Sequence, residues 1–392
     1  MNRHLLAFSL LAVTQVFGWG AVSSLPVIAT QVSRDLGVDL ATVFLGTSVM
    51  FVAMGITSPW AGRLIGRSGP RRTMAAGATL IGASLCLVAR STSAELFLLG
   101  WGIVGVAGAM FLTTAAYAYL AEHGDQAARG MIGSLMLVTG LAGSVFWPVT
   151  AFLFEVAGWR MTILIYAGGM TLLVAPALYL GLPDTARAIA TTETGDKIRY
   201  ARKPIFILVV VAIALNSFVT FGIDAIGIEL FRALGSDLAS AVAVASLLGI
   251  FKVGGRLIDV LGGRNWDGLS TALVSGIVLP LGLLAIALGG KNLMTITVYL
   301  CLFGLGSGAF AVARATMPLV FFSKADYAAA MSAIALPMHL INALAPPALA
   351  AVLVHTGPTS VLSLLAAISA VALLTLCYLK RMQGQKTAGQ TY

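Results

Sequence analysis

The chain has 392 residues, 59% of them hydrophobic and only 10% charged, which is too little polar surface to coat a water-soluble body of that length. Lys and Arg number 24 against 15 Asp and Glu, a net charge of +9; in so apolar a chain the excess sets orientation in a bilayer and does not indicate nucleic-acid binding. Cys86, Cys301 and Cys377 lie far apart inside apolar runs without ligand spacing, so they are read as packing residues, with no metal site and no cofactor motif in the chain.

A spanning helix needs about 20 mostly apolar residues. Segmentation on that basis predicts twelve spans, at 5–32, 40–65, 73–89, 96–121, 130–154, 161–182, 204–231, 238–261, 269–288, 293–322, 327–354 and 360–379. The first is read as a retained span, because its apolar run outlasts the h-region of a signal peptide. Gln15 and Trp19 share one of its faces. Arg63, Arg67, Arg71 and Arg72 cluster around the junction of the second and third spans, and Trp147 lies in the fifth. The fourth span carries Gly102, Gly105 and Gly108, and the tenth Gly304, Gly306 and Gly308, spacings that let helices approach closely in lipid.

Ionisable groups inside the hydrocarbon cost about 2.5–3.5 kcal/mol each on the insertion scale, so each needs a reason to be there. Lys252, about 21 Å into the eighth span, is the deepest. Arg256 lies one turn beyond it on the same face, and two like charges so placed make sense if an anion or a carboxylate stands before them. Arg314 in the tenth span is a further cationic candidate. Asn216 sits mid-span in the seventh, and Asp224 and Glu229 toward its outer end, as coupling groups or an outer gate with Arg232. His339 and Asn342 share a face of the eleventh span, as a ligand contact or an interhelical hydrogen bond.

Residues 62–71 reappear at 255–264 with six of ten identities, an offset of almost half the chain. The organisation predicted is a six-helix bundle over 1–182, a polar cytoplasmic linker over 183–203, a second bundle over 204–381 and a tail over 382–392. Alternate loops carry seventeen and five Lys or Arg, which places both termini and the linker in the cytoplasm.

The loop residues Gly62, Arg67, Gly69, Arg71 and Arg72 fit the signature of the major facilitator superfamily, which the chain resembles over all twelve spans. That resemblance implies an all-α membrane fold of two pseudo-symmetric six-helix bundles. It also implies secondary transport by alternating access, with a site near the midplane between the halves. Two departures stand out. The signature's carboxylate, implied to latch the cytoplasmic side, is Gly66 in the first copy, while the second copy keeps Asp259. The arginine of the fourth span found in many proton-driven drug exporters is missing from Leu98-Leu99-Gly100-Trp101-Gly102. The eighth-span Arg of the monocarboxylate and oxalate/formate branch matches Arg256, with Lys252 standing where monocarboxylate carriers place an Asp.

The expectation is therefore a monomeric inner-membrane carrier, not an enzyme, for a small organic or inorganic anion of carboxylate type. Lys252, Arg256, Arg314, His339 and Asn342 would form a cationic and polar wall, and Gln15, Trp19, Trp147 and Asn216 a neutral one. Arg63, Arg67, Arg71, Arg72 and Asp259 would gate. H⁺, Na⁺ or counter-substrate would drive it. Export of a drug, metal chelate or other neutral or cationic solute through Asp224 or Glu229 is the alternative within transport, and a transporter-like membrane receptor the alternative of another class.

Overall fold

The computed structural model describes residues 3–123, 128–182, 204–256, 267–290, 292–322 and 327–388, and all regular structure among them is helical. Among the described residues, ten apolar stretches are long enough to cross a membrane. One of these, Met131–Gly181, runs 51 residues and turns at Gly158, so it supplies both the fifth and sixth spans. The shorter apolar stretch Leu340–Thr356 supplies the eleventh, and the twelve expected spans are thereby accounted for. Contacts divide the chain into two compact units, Met1–Thr192 and Glu193–Tyr392.

In the first unit the first span is two helices, α1 (Arg3–Val22) and α2 (Leu25–Leu36). The break falls before Pro26, whose ring removes a backbone donor and disfavours helix in the preceding turn. Helix α2 stops at Gly37, whose left-handed φ of 64° suits a residue with no Cβ. Asp39 caps the next helix, α3 (Leu40–Ser68), by accepting from the Thr42 amide at 2.7 Å. That helix outruns its expected end by three residues, and α4 (Pro70–Ala89) starts three residues early. The expected arginine-rich loop shrinks to Gly69, with a φ of 79°. Arg63 and Arg67 thus sit on the last turns of one helix and Arg71 and Arg72 on the first turn of the other. Long basic side chains lie along a helix while their heads reach water, so they do not mark a loop.

The fourth span is also broken, into α5 (Ala94–Phe111) and α6 (Thr113–His123), with Leu112 extended between them. Helices α7 (Ala128–Thr139) and α8 (Ala142–Gly168), a π-helical turn Gly169–Val174 and α9 (Ala175–Gly181) complete the unit. Beyond Gly158, which has a φ of 76°, the Trp159 indole and the Arg160 guanidinium both donate to Asp35 at the end of α2, at 2.7 and 2.6 Å. Arg160 also donates to the Ser91 carbonyl after α4, at 3.1 Å. Arg160 thus ties the ends of the first and third spans to the start of the sixth, through the Asp35 carboxylate and the Ser91 carbonyl.

The second unit comprises α10 (Pro204–Ala233), α11 (Leu238–Gly255), α12 (Gly268–Gly289), α13 (Leu293–Tyr299), a π-helical turn Leu300–Gly304, α14 (Leu305–Thr316), α15 (Pro318–Phe321), α16 (Tyr327–Thr356) and α17 (Pro358–Ala388). Its core gathers Val209 and Ile213 of α10, Leu269 of α12, Phe310 of α14 and Leu376 of α17. Lipid is as apolar as these side chains, so close backbone packing carries much of the association. Gly282 shows it, with Phe303 backbone nitrogen 2.8 Å from where a Cβ would stand.

Candidate functional site

Helices α10 and α11 form an antiparallel hairpin over the short turn 234–237. Asp224 is nine residues before the end of α10, about 14 Å along the axis, and Lys252 is fourteen residues past the start of α11, about 21 Å. Helical side chains lean toward their own N-terminus. The Lys252 stem therefore spans the difference, and its ammonium forms an ion pair with the Asp224 carboxylate. Two residues that the sequence assigned to different roles, substrate binding and coupling, meet in one place.

The main chain under Lys252 is fixed by the tenth span. A Cβ added at Gly308 would stand 2.7 Å from the Lys252 carbonyl carbon and overlap its oxygen, and one at Gly255 would stand 2.8 Å from the Leu305 Cα. Gly304 likewise abuts the Phe251 side chain. Where the π-helical turn leaves α13, Tyr299 stacks on Phe303 at 5.3 Å and meets Phe231 edge-on at 5.6 Å. Tyr299 is fully buried and its hydroxyl lies within electrostatic reach of Asp224.

Arg256, half-buried, is the C-cap of α11 one turn past Lys252, at the negative end of the helix dipole. Arg314, also half-buried, lies in the last turn of α14. Buried Glu229 is engaged by Arg232, which donates to both its carboxylate oxygens at 3.0 and 3.1 Å. Asn216 and Asn342 are buried on α10 and α16; the Asn216 amide donates to the Ala212 carbonyl at 3.0 Å, and both side-chain carbonyl oxygens lack a partner among the described residues. The His339 side chain and the whole of Asp259 lie outside the described residues.

In the first unit the neutral candidates work on the helix breaks. The Gln15 amide donates to the Phe111 carbonyl at 2.8 Å and the Trp19 indole to the Thr113 hydroxyl at 2.8 Å, so one face of α1 holds both sides of the Leu112 break. Gly18, on the same face, makes room for the Phe111 ring. The Trp147 indole donates to the Ser23 carbonyl at 2.9 Å, at the break of the first span. Among the signature arginines, Arg63 donates weakly to the Pro59 carbonyl at 3.4 Å, Arg67 and Arg72 are exposed, and Arg71 lies over the Tyr179 ring at 4.9 Å. Arg71 thereby fastens the start of the third span to the sixth. The second unit fastens the equivalent pair differently: Asp267, cap of α12, accepts from Gln383 of α17 at 3.0 Å, with Lys380 at 3.9 Å.

Sequence reasoning missed Asp267 and Gln383, Asp35 with Trp159, and Thr113. Asp267 was the legible one: an Asp directly before the apolar run that opens at Gly268-Leu269 is a helix-start pattern. Thr113 carries no such signal, because its neighbourhood has neither Pro nor a turn cluster.

A family model described as Major Facilitator Superfamily matches residues 8–302. The fold is similar to that of a solved nucleoside transporter, NupG in a point-mutant form, with a TM-score of 0.79, 14% identity and coverage of 96% of this chain and 100% of that one. It is also similar to a bacterial homologue of the human lysosomal transporter Spinster, inward-facing and occupied, with a TM-score of 0.71, 14% identity and coverage of 100% and 98%. No curated protein sequence matches.

Proposed function

The chain belongs to the major facilitator superfamily and is a multi-pass secondary transporter, not an enzyme; from that premise we propose that its substrate is a small solute presenting a carboxylate or similar oxyanion, bound by Lys252. The observation that carries this reading is the Lys252–Asp224 pair. The deepest cation of the second unit already holds a carboxylate, so its chemistry and reach suit that group. Arg256, one turn away, adds positive potential on the same face, and Arg314 is the third cationic contact. In this reading the carrier sits in the inner membrane with both termini cytoplasmic, as the distribution of Lys and Arg supports, and works by alternating access.

The test is a thermal-shift screen of carboxylates and oxyanions on purified protein, since a ligand that binds the folded state raises apparent stability by mass action, followed by transport in proteoliposomes. Lys252→Gln is expected to abolish the shift and weaken transport. Unchanged transport kinetics and ligand affinity in Lys252→Gln would remove Lys252 from the site. The alternative of a cationic solute held by Glu229 has less support, because Arg232 occupies both its oxygens.

A further inference from the structure

The charge inventory of the Lys252–Asp224 site goes a step past an anion-binding lysine. We propose that the substrate is zwitterionic, with its carboxylate on Lys252 and an ammonium-type cation on Asp224; this rests on the reading of Lys252 as a substrate contact.

Three observations carry it. The first is open valence. A lysine ammonium has three donors and an ionised carboxylate about four acceptor positions, yet within the pair each uses one hydrogen bond among the described residues. Two donors on one side and several lone pairs on the other remain for something that supplies an acceptor and a donor together.

The second is selective exposure. The Asp224 side chain is 40% accessible and that of Lys252 16%, whereas the neighbours Ile223, Ala225 and Ile226 on the same helix are all buried. A pair whose only task is to join two helices is better closed on all sides, and an apolar pair of similar volume stabilises as well or better. This pair presents its carboxylate.

The third is neutrality. The pair carries no net charge, and the groups facing it from the packed elements are Tyr299 from α13, backed by Phe231 and Phe303, with Arg256 a turn further along α11 and Glu229 taken by Arg232. A monoanion displacing Asp224 from Lys252 would leave that carboxylate without its counter-charge and lose a charge-assisted hydrogen bond. A zwitterion replaces both members at once: each protein charge exchanges one partner for another of the same sign.

The experiment compares α-amino acids with their des-amino carboxylate analogues, by thermal shift and then by titration, on the full-length wild type, on Asp224→Asn and on Lys252→Gln. At least one amino acid is expected to bind wild type about tenfold or more tightly than its des-amino analogue, the size of one charge-assisted hydrogen bond. In Asp224→Asn that preference is expected to vanish. Should Asp224→Asn fail to fold, the exchanged pair, Lys252→Asp with Asp224→Lys, keeps both charges and is expected to retain the preference. Carboxylates that bind through Lys252 with no gain from the amino group would overturn the zwitterion and leave the oxyanion reading intact. Ligand binding indifferent to Lys252→Gln would overturn both, and no binding by any amino acid would overturn the zwitterion alone.

Discussion

Close packing of the tenth span against the eighth and ninth makes a graded prediction about three glycines. At Gly308 an added methyl stands 2.7 Å from the Lys252 carbonyl carbon and 2.8 Å from its Cα, both backbone atoms that no rotamer change can move. At Gly306 it meets the Val278 Cγ2 at 2.6 Å and the Leu279 Cγ at 3.2 Å, side-chain atoms that can turn aside. At Gly254 the nearest atom is the Leu305 Cδ2 at 3.4 Å, an ordinary contact. Alanine in place of a helical glycine gains about 0.5–1 kcal/mol from chain entropy, and overpacking costs about 1–3 kcal/mol. Gly254→Ala is therefore expected to be neutral or stabilising by a few tenths, Gly306→Ala close to neutral, and Gly308→Ala destabilising by about 1–2 kcal/mol. Thermal unfolding in a single detergent ranks the three. Gly308→Ala should also weaken transport, because parting the helices displaces the Lys252 main chain. A Gly308→Ala protein that melts at or above the Gly254→Ala protein would show that the two backbones are not in the contact described.

Other expectations follow from the polar braces. Gln15→Leu and Trp19→Phe each remove a hydrogen bond worth about 1 kcal/mol from the Leu112 break, so amide exchange at residues 113–115 should accelerate; unchanged exchange would mean the break holds itself. At Asp267, burial pushes the carboxyl up, but hydrogen bonds from Ser270 and Gln383 and the Lys380 charge more than offset it and hold it below its usual range. A depressed folded value means the brace is fully present at neutral pH and is lost as pH falls below about 4. Exchange protection of residues 380–388 should fall with acid in that window, and an Asp267→Asn protein that kept the same acid dependence would contradict the assignment. Gly158→Ala meets no atom within 4 Å, so its cost is that of the backbone conformation alone, φ 76° with ψ 166°, about 1–3 kcal/mol of thermal stability; a neutral result would mean that the turn can relax.

Much of the architecture was legible because a bilayer imposes one simple rule. Twenty apolar residues make a span whatever their order, so the twelve spans could be counted without knowing a single contact. Boundaries failed where that rule is silent: residues 66–72 look like a loop by polarity, yet both helices continue through them up to Gly69. The breaks in the first and fourth spans lie beyond local reading for another reason. Leu112 is extended because the carbonyl freed at Phe111 and the hydroxyl at Thr113 find partners on α1, roughly a hundred residues away in sequence. At the candidate site the residue types were visible and their pairing was not. Lys252 and Asp224 were each singled out, but joining them needs the hairpin's register and the lean of a lysine stem.

The single-residue turn at Gly69 has a further consequence. With helix on both sides and no slack chain, the second and third spans are geared together, and phase passes through the turn undiminished. One residue inserted at that point would turn α4 by about 100°. The buried column Met74, Ala78, Ile81 and Leu85 would then face lipid, and the polar Thr73 and Ser84 that now lie inside would rotate with it. A shift this small in the gene would misalign a whole wall of the bundle, so this junction should be intolerant of changes in length even where it tolerates changes of side chain.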